Sequence, residues 1–353
     1  MLVKYRAQTC RLLIKPQERL VASPQNNLSS VQHATALWYV APGAVALQKE
    51  SLSSRGSDQV QVRSAFSALS RGTESLVFRG EVPEAEYERM RAPFMGGAFP
   101  FPVKYGYANV GQVHTGPAEL VGKWVFSLTP HQDIFNVAID SVSLLPEGIP
   151  PMRAVLAANM ETALNAVWDS KVGPGDRIVI VGGGVVGCLI AFLCGHLPGA
   201  SVTLVDINPE RAATAKAFGV GFAQPSDAPI DCDLVFHCSA TQAGLATALG
   251  LAGEEATVLE LSWYGSKSVL APLGGAFHSR QLRLQSSQVG HVSASRRPRW
   301  TYKRRLGAAL AMLNDARLDV LLAEPIKFLE LPAKLPDIFD GRSGVLCQPI
   351  AYL

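Results

Sequence analysis

From Ala36 the chain alternates apolar and polar residues over short stretches, ALWYVA, QVQVRSAFSAL, NVGQV and KWVFSL, each closed by glycine or proline. A period of two marks strands that bury one face, so this part is expected to be antiparallel and β-rich. The pattern changes at the proline-rich turn between Pro146 and Pro151. Met152 to Trp168 then carries Val155, Leu156, Met160, Leu164 and Val167 at helical spacing. From Asp176, apolar runs such as RIVIV, SVTLV, DLVFH and ATVLEL alternate with the helical stretches VVGCLIAFLCGHL, PERAATAKAFG and TQAGLATALGLAG. Strands apolar on both faces and joined by helices predict a parallel sheet covered on each side. Beyond about His291, a helix over Tyr302 to Leu313, a short strand near Ile326 to Leu329 and a helix near Leu335 are expected to return to the β-rich part. The division is 34–150 and 291–353 for the β-rich domain and 151–290 for the α/β domain.

Residues 1–33 stand apart. Lys4, Arg6, Arg11, Lys15 and Arg19 face a single acid, Glu18, ahead of a polar tail at Gln25 to Ser30. An Arg-rich, acid-poor leader is one reading and a loose extension from an upstream start is the other. A secretory signal does not fit, because no apolar stretch with a small-residue cleavage site follows.

Length and composition narrow the function class. A chain of 353 residues with 48% apolar content can fill two cores, which excludes disordered and fibrous classes. Thirty-two basic and 29 acidic residues leave a formal charge of +3, too small a field to draw the protein to nucleic acid or a membrane. No apolar run reaches the roughly 18–20 residues of a membrane span. Cysteines stand at 10, 188, 194, 232, 238 and 347 without CxxC spacing, a usage that suits a reducing, cytoplasmic setting. A small-molecule substrate is therefore the expected partner.

The strongest motif follows RIVIV directly. Gly182, Gly183, Gly184, Val185, Val186 and Gly187 form a GxGxxG between a strand and an apolar helix. In that context the first glycine permits a tight turn and the second lets backbone approach a pyrophosphate. The third lets helix and strand pack closely, and the helix N-terminus offers free N–H groups. SVTLV ends at Asp206, about 20 residues beyond, where a carboxylate can accept the adenosine ribose hydroxyls. This predicts a dinucleotide site with NAD(H) preferred over NADP(H). Arg211, one helical turn on, is a candidate for a 2′-phosphate, but Asp206 would repel that phosphate, and a solvated helix residue is the plainer reading.

With Gly72-Thr73-Glu74 after SAFSALS, Tyr105-Gly106-Tyr107 before NVGQV, Thr162-Ala163 and the VGPGDR lead-in, the chain resembles the medium-chain dehydrogenase/reductase superfamily, the zinc-type alcohol dehydrogenases, from Ala36 to Leu353. The resemblance implies a Rossmann domain beside a GroES-like β-rich domain, and from family habit a homodimer. SRGTE, GEVP and the GY pair are similar to the zinc-lacking branch that includes bacteriochlorophyllide a dehydrogenase. Where zinc members carry their three ligands this sequence has Arg71, Tyr107 beside Ala108, and Ala158 or Asn159; where they carry a relay histidine it has Leu76. No cysteine lies between 10 and 188 to build a structural zinc lobe. The resemblance thus implies an oxidoreductase working without zinc, since this set cannot build a tetrahedral site.

Without a Lewis acid, a hydrogen-bond donor has to stabilise a developing oxyanion. Tyr107 and Thr73 stand at the matching positions. Glu74 and Glu161 are acid/base candidates if buried, and His131 and His278 sit in loops that can face a cleft. Each has a bland alternative: Thr73 as a helix cap, Tyr107 as core filling, Glu74 paired with Arg71, the histidines as loop residues. Ser262-Trp263-Tyr264 after ATVLEL either bounds a flat substrate or packs a domain seam. Arg296, Arg297, Arg299, Lys303, Arg304 and Arg305 cross Trp300 and Tyr302, and read as a solvated helix start, a subunit contact or a grip on an anionic substrate tail. Two functions follow: an NAD(H)-dependent, zinc-independent enzyme acting on a carbonyl, alcohol or activated alkene, or a catalytically silent dinucleotide-binding sensor.

Overall fold

The computed structural model describes residues 32–341 and 344–352, so the expected N-terminal extension falls outside the described residues up to 31. Among the described residues the strands form three sheets. The β-rich part begins with β1 (His33–Ala41), β2 (Ala44–Ser51) and β3 (Gln59–Leu69), followed by helix α1 (Arg71–Arg79). Short strands β4 (Gly96–Gly97) and β5 (Val103–Lys104) precede β6 (Asn109–Thr115), β7 (Trp124–Ser127), β8 (Ile134–Ala138) and β9 (Val142–Leu144). β1, β2, β4 and β5 make a four-stranded sheet, whereas β3, β6, β7, β8 and β9 belong to a seven-stranded one. Period-two burial explains the second sheet: Val60, Val62, Val113, Val125, Phe135 and Val137 turn inward to a shared core.

The expected single helix after Pro151 is two, α2 (Pro151–Ala154) and α3 (Ala157–Ser170), with the break at Val155 and Leu156. The six-stranded sheet that follows comprises β10 (Arg177–Val181), β11 (Ser201–Val205), β12 (Gly221–Ala223), β13 (Cys232–His237), β14 (Ala252–Glu260) and β15 (Arg283–Ser286). Its order is β12-β11-β10-β13-β14-β15, and every pairing is parallel. Helices α4 (Val185–Cys194), α5 (Arg211–Phe218) and α6 (Gln242–Leu251) connect the strands. Side chains alternate between the two faces. Ile178, Ile180 and Leu204 pack with Leu189, Ile190 and Phe192 of α4 and Met160 of α3, while Val179, Val181 and Val205 pack with Leu245 and Leu249 of α6. Burying each such large side chain contributes about 1.5–3 kcal/mol. This is the α/β architecture expected, a doubly wound parallel sheet with a β-rich partner.

Helix α7 (Tyr302–Met312) packs on α3. Strand β16 (Ile326–Lys327), helix α8 (Leu331–Phe339) and strand β17 (Gln348–Ala351) then complete the first part: β17 pairs antiparallel with β3, Gln348 opposite Leu69. Leu331, Leu335, Ile338 and Phe339 of α8 join Leu37, Val77 and Phe78 in one core. None of the helices among the described residues is long and apolar enough to cross a membrane.

Candidate active site

The glycine turn leaves β10 at its carboxyl end and starts α4, with Gly184 at the N-cap. Gly182 has φ +109°, and a Cβ there would stand 2.6 Å from the Ser239 backbone nitrogen; a Cβ on Gly187 would stand 2.0 Å from the Gly182 carbonyl oxygen. Both positions therefore exclude any side chain, whereas a Cβ on Gly184 would meet open space. Asp206 follows β11 and folds its carboxylate onto the turn, Oδ2 accepting the Gly183 N–H at 2.6 Å and Oδ1 the Asn208 N–H at 2.8 Å. A carboxylate has about four lone-pair positions, so acceptor capacity remains for hydroxyls. Arg211 does not stand free in solvent. It is part-buried and donates from Nη2 to the Gly344 carbonyl at 2.7 Å.

Arg211 lies against this turn, its Cγ 3.1 Å from where a Gly183 Cβ would stand, and a second guanidinium, Arg71, lies near Arg211. Arg71 donates through Nη1 to the Val345 carbonyl, and its Nε is buried without a hydrogen-bond partner. Burial and the nearby Arg211 charge both lower the Arg71 pKa. The orphaned Arg71 Nε, with the Arg211 charge near it and the Asp340 carboxylate opposing, suits an anion, and the open space over Gly184 suits a phosphate: the residues present fit a dinucleotide.

Thr73 and Glu74 lie on α1, the helix implied by the alternative reading of Thr73 as a cap. Ser70 occupies the N-cap and Thr73 sits within the first turn, so Thr73 is not the cap. Glu74 is fully buried and does not pair with Arg71. Its Oε1 accepts the Ser70 N–H at 2.7 Å, and its Oε2 accepts the Tyr39 hydroxyl at 2.7 Å and lies 2.9 Å from His131 Nε2. His131, also fully buried, places Nδ1 2.8 Å from Ser67 Oγ, which lies 2.9 Å from the Tyr352 hydroxyl. Sequence reasoning had Glu74 and His131 but missed Tyr39, Ser67 and Tyr352, which read as ordinary strand residues. The His131 ring lies against Gly106, where a Cβ would stand 2.8 Å from its Cδ2 and Nε2; φ there is +117°. The network thus fixes the loop that carries Tyr107.

Tyr107 is part-buried, edge-on to Tyr105 with centroids 6.0 Å apart. Burial pushes its hydroxyl up to about 12, Glu74 adds to the rise, and hydrogen bonding with the Ser70 and Thr73 hydroxyls opposes it. The structure brings Tyr107 and Thr73 together, and at neutral pH both are O–H donors.

Glu161 on α3 goes elsewhere. Its Oε1 accepts Arg305 Nε at 3.0 Å, and Arg305 also donates to Asn165 Oδ1 at 2.7 Å, the His291 carbonyl at 3.1 Å and the Val289 carbonyl at 2.6 Å. Burial raises the Glu161 pKa, with Arg305 pulling against it. The solvated reading of the basic run therefore fails at Arg305, which is 2% exposed. Its neighbours are exposed, Arg304 lying 4.0 Å over Trp300 and Arg296 5.4 Å over Trp168. His278 is exposed. Trp263 packs against the core of the β-rich part, and Tyr264 hydrogen-bonds Glu260.

At the positions matched to zinc ligands, Arg71 and Tyr107 are engaged as described, and Ala158 and Asn159 are buried on α3. Among the described residues no three His, Cys, Asp or Glu side chains converge as a metal site requires. This donor set does not fit a zinc ion.

No family model matches the chain. Among curated proteins, the glutathione-independent formaldehyde dehydrogenase of Pseudomonas aeruginosa is 34% identical over 128 residues, 36% of this chain and 30% of that protein, so the chain matches under a third of its relative. L-idonate 5-dehydrogenase from Escherichia coli K-12 superposes over 91% of this chain and 99% of its own, with TM-score 0.73 and 14% identity. A short chain alcohol dehydrogenase from Escherichia coli CFT073, complexed with NADH, gives TM-score 0.71 at 14% identity over 91% and 99%. Over nearly all of its described length, the chain has the fold of these dehydrogenases.

Proposed function

We propose that the chain is an NAD(H)-dependent oxidoreductase of the medium-chain type that acts on a small-molecule carbonyl, alcohol or activated alkene without zinc. The observation that carries this reading is the turn at the carboxyl edge of the parallel sheet. Gly182 and Gly187 admit no Cβ, and Asp206 accepts the Gly183 N–H at 2.6 Å. Ligands of open α/β sheets bind at that edge, where the strand order reverses between β10 and β13. NAD(H) is preferred because the Asp206 charge would repel a 2′-phosphate. A bound nicotinamide dinucleotide supplies or accepts the hydride. Arg71, Arg211 and the α4 N-terminus would hold its phosphates, and Asp206 its adenosine ribose.

In this reading Tyr107, protonated at neutral pH, donates its O–H to the substrate oxygen as negative charge develops there, and Thr73 shares that task by donating to the Tyr107 oxygen and strengthening it as a donor. Glu74 and His131 are positioning residues. Shut off from solvent, they hold the start of α1 and the Gly106 loop, and so the two donors, in place. Glu161 balances Arg305 and takes no part in the chemistry.

The test is turnover of NADH or NAD against aldehydes, ketones, enones, quinones and alcohols. Cofactor-dependent turnover of at least one is expected. NADH binding with none turned over would favour a silent dinucleotide-binding protein.

A further inference from the structure

A second polar cluster lies outside the groups used so far. β13 and β14 end side by side at His237 and Glu260, which are register partners, and His237 is also opposite Val181, the last residue before the glycine turn. The His237 side chain is fully buried and that of Glu260 is 15% exposed. His237 Nδ1 lies 2.7 Å from Glu260 Oε2, and Nε2 lies 2.7 Å from Ser239 Oγ. Ser239 Oγ is in turn 2.9 Å from Thr241 Oγ1, which accepts the Gly244 N–H as the cap of α6. On the other side Glu260 Oε1 accepts the Ser262 N–H at 2.7 Å, and Oε2 accepts the Tyr264 hydroxyl at 3.1 Å. The two strand-end loops are tied directly as well, Ala240 N–H donating to Ser262 Oγ at 3.1 Å.

Two features set this apart from ordinary strand-end bonding. Taking an acid and an imidazole out of water costs several kcal/mol, and apolar side chains would close a sheet edge more cheaply. The cluster also abuts the dinucleotide turn, since the Ser239 backbone nitrogen is the atom nearest to where a Gly182 Cβ would stand.

We propose that the His237–Glu260 pair is a positioning unit that presents Ser239 as a hydrogen-bond acceptor to the amide of a nicotinamide ring, which makes Ser239 a specificity residue for the nicotinamide half of the cofactor. The chemistry follows from the order of donors. Burial alone would raise the Glu260 pKa, but hydrogen bonds from His237 and Ser262 hold it below its usual range, so the carboxylate is ionised. Its Oε2 accepts a hydrogen bond from Nδ1–H of His237, and in the neutral imidazole that tautomer leaves Nε2 to accept the Ser239 O–H. With its proton turned inward, Ser239 keeps two lone pairs. Thr241 O–H occupies one, and the other remains for an N–H donor, the group a carboxamide carries. Ser239 is part-exposed and Thr241 exposed, whereas the pair beneath them is buried, so the polarity of the exposed hydroxyl is set from inside the protein.

The inference rests on the dinucleotide reading above, and the test separates the two by comparing NADH with ADP-ribose, which lacks the nicotinamide. Affinities for both are measured by calorimetric titration on the full chain, wild type, Ser239→Ala and Glu260→Gln. Ser239→Ala is expected to weaken NADH about five- to tenfold, the worth of one hydrogen bond, with ADP-ribose unchanged. Glu260→Gln frees the His237 tautomer and should lose NADH selectively in the same direction. Ser239→Ala leaves the buried pair intact, so it reports even if Glu260→Gln does not fold. Equal losses for both ligands, or NADH affinity unchanged in Ser239→Ala, overturn the inference. A wild type that binds neither ligand overturns the dinucleotide reading and this inference with it.

Discussion

Replacing Arg305 with methionine keeps the apolar stem in place and removes the guanidinium from a site that is 2% exposed. Four acceptors lose a donor: the Glu161 carboxylate, Asn165 Oδ1 and the carbonyls of His291 and Val289. The carbonyls and the Asn165 oxygen are neutral, and Asn165 Oδ1 still receives the Ser293 N–H at 3.0 Å, so their shares are small. The carboxylate decides the magnitude, because Glu161 is only 6% exposed and Arg305 is its ion-pair partner. Breaking a buried pair from one side costs about 3–5 kcal/mol. With an m-value above about 3 kcal/mol/M for a chain of this size, the urea midpoint should fall by about 1 M, read by tryptophan fluorescence. The loss should also depend on pH with a definite sign. Burial already raises the folded-state pKa of Glu161 above its unfolded value, so the folded state keeps that proton longer and stability falls as pH rises through the interval. Without Arg305 the interval widens. The deficit should therefore be smallest in acid, where Glu161 is protonated in both states, and grow toward neutral pH. Glu161→Gln combined with Arg305→Met should cost less than the two single changes added, by about 1–3 kcal/mol. A midpoint within about 0.2 M of wild type at neutral pH, or a deficit that shrinks as pH rises, would refute this account of the pair.

Other predictions concern the cleft. Asp206→Ala removes the acceptor for the ribose hydroxyls and the charge that repels a 2′-phosphate, so NADH should bind at least tenfold more weakly and NADPH more tightly; a wild type that prefers NADPH would sink the assignment. Tyr107→Phe keeps the ring and deletes the donor, and is expected to lower turnover about 10²- to 10³-fold with NADH affinity nearly unchanged; full turnover in that variant would return Tyr107 to a packing role. Elemental analysis after dialysis should find less than stoichiometric zinc, and one zinc per chain would point to a site outside the matched positions.

The parallel sheet was legible because RIVIV and its companions are buried on both faces, a requirement that writes itself into sequence as uninterrupted apolar runs. The glycine turn was legible for a related reason: contacts as close as 2.0 Å leave no alternative residue. Helix α1 entered only through Thr73 as a cap, because its buried positions run consecutively from Glu74 and Ser75 to Leu76, Val77 and Phe78 and give no helical period. The partners of His131 were hidden by distance along the chain, Glu74 lying 57 residues away and Ser67 64. Arg305 sits among five other cations, and nothing local distinguishes the buried one from those facing solvent. His237 and Glu260 end strands that read as plain apolar runs, and only the parallel register joins them.

The pairing of β17 with β3 sets an order on synthesis. Strand β3 leaves the ribosome early and soon meets β6 and β8, but the partner of its last four residues, β17, is made only after the whole parallel sheet has been translated. The six-stranded sheet draws all of its strands from one continuous stretch and can close while the β-rich sheet still lacks an edge. Until β17 arrives, β3 presents unpaired N–H and C=O groups along Phe66 to Leu69, the sort of open edge that recruits foreign strands. A nascent chain stalled before Gln348 should therefore combine a folded α/β half with an aggregation-prone β half. Holdase chaperones would be expected to engage the N-terminal strands rather than the nucleotide fold.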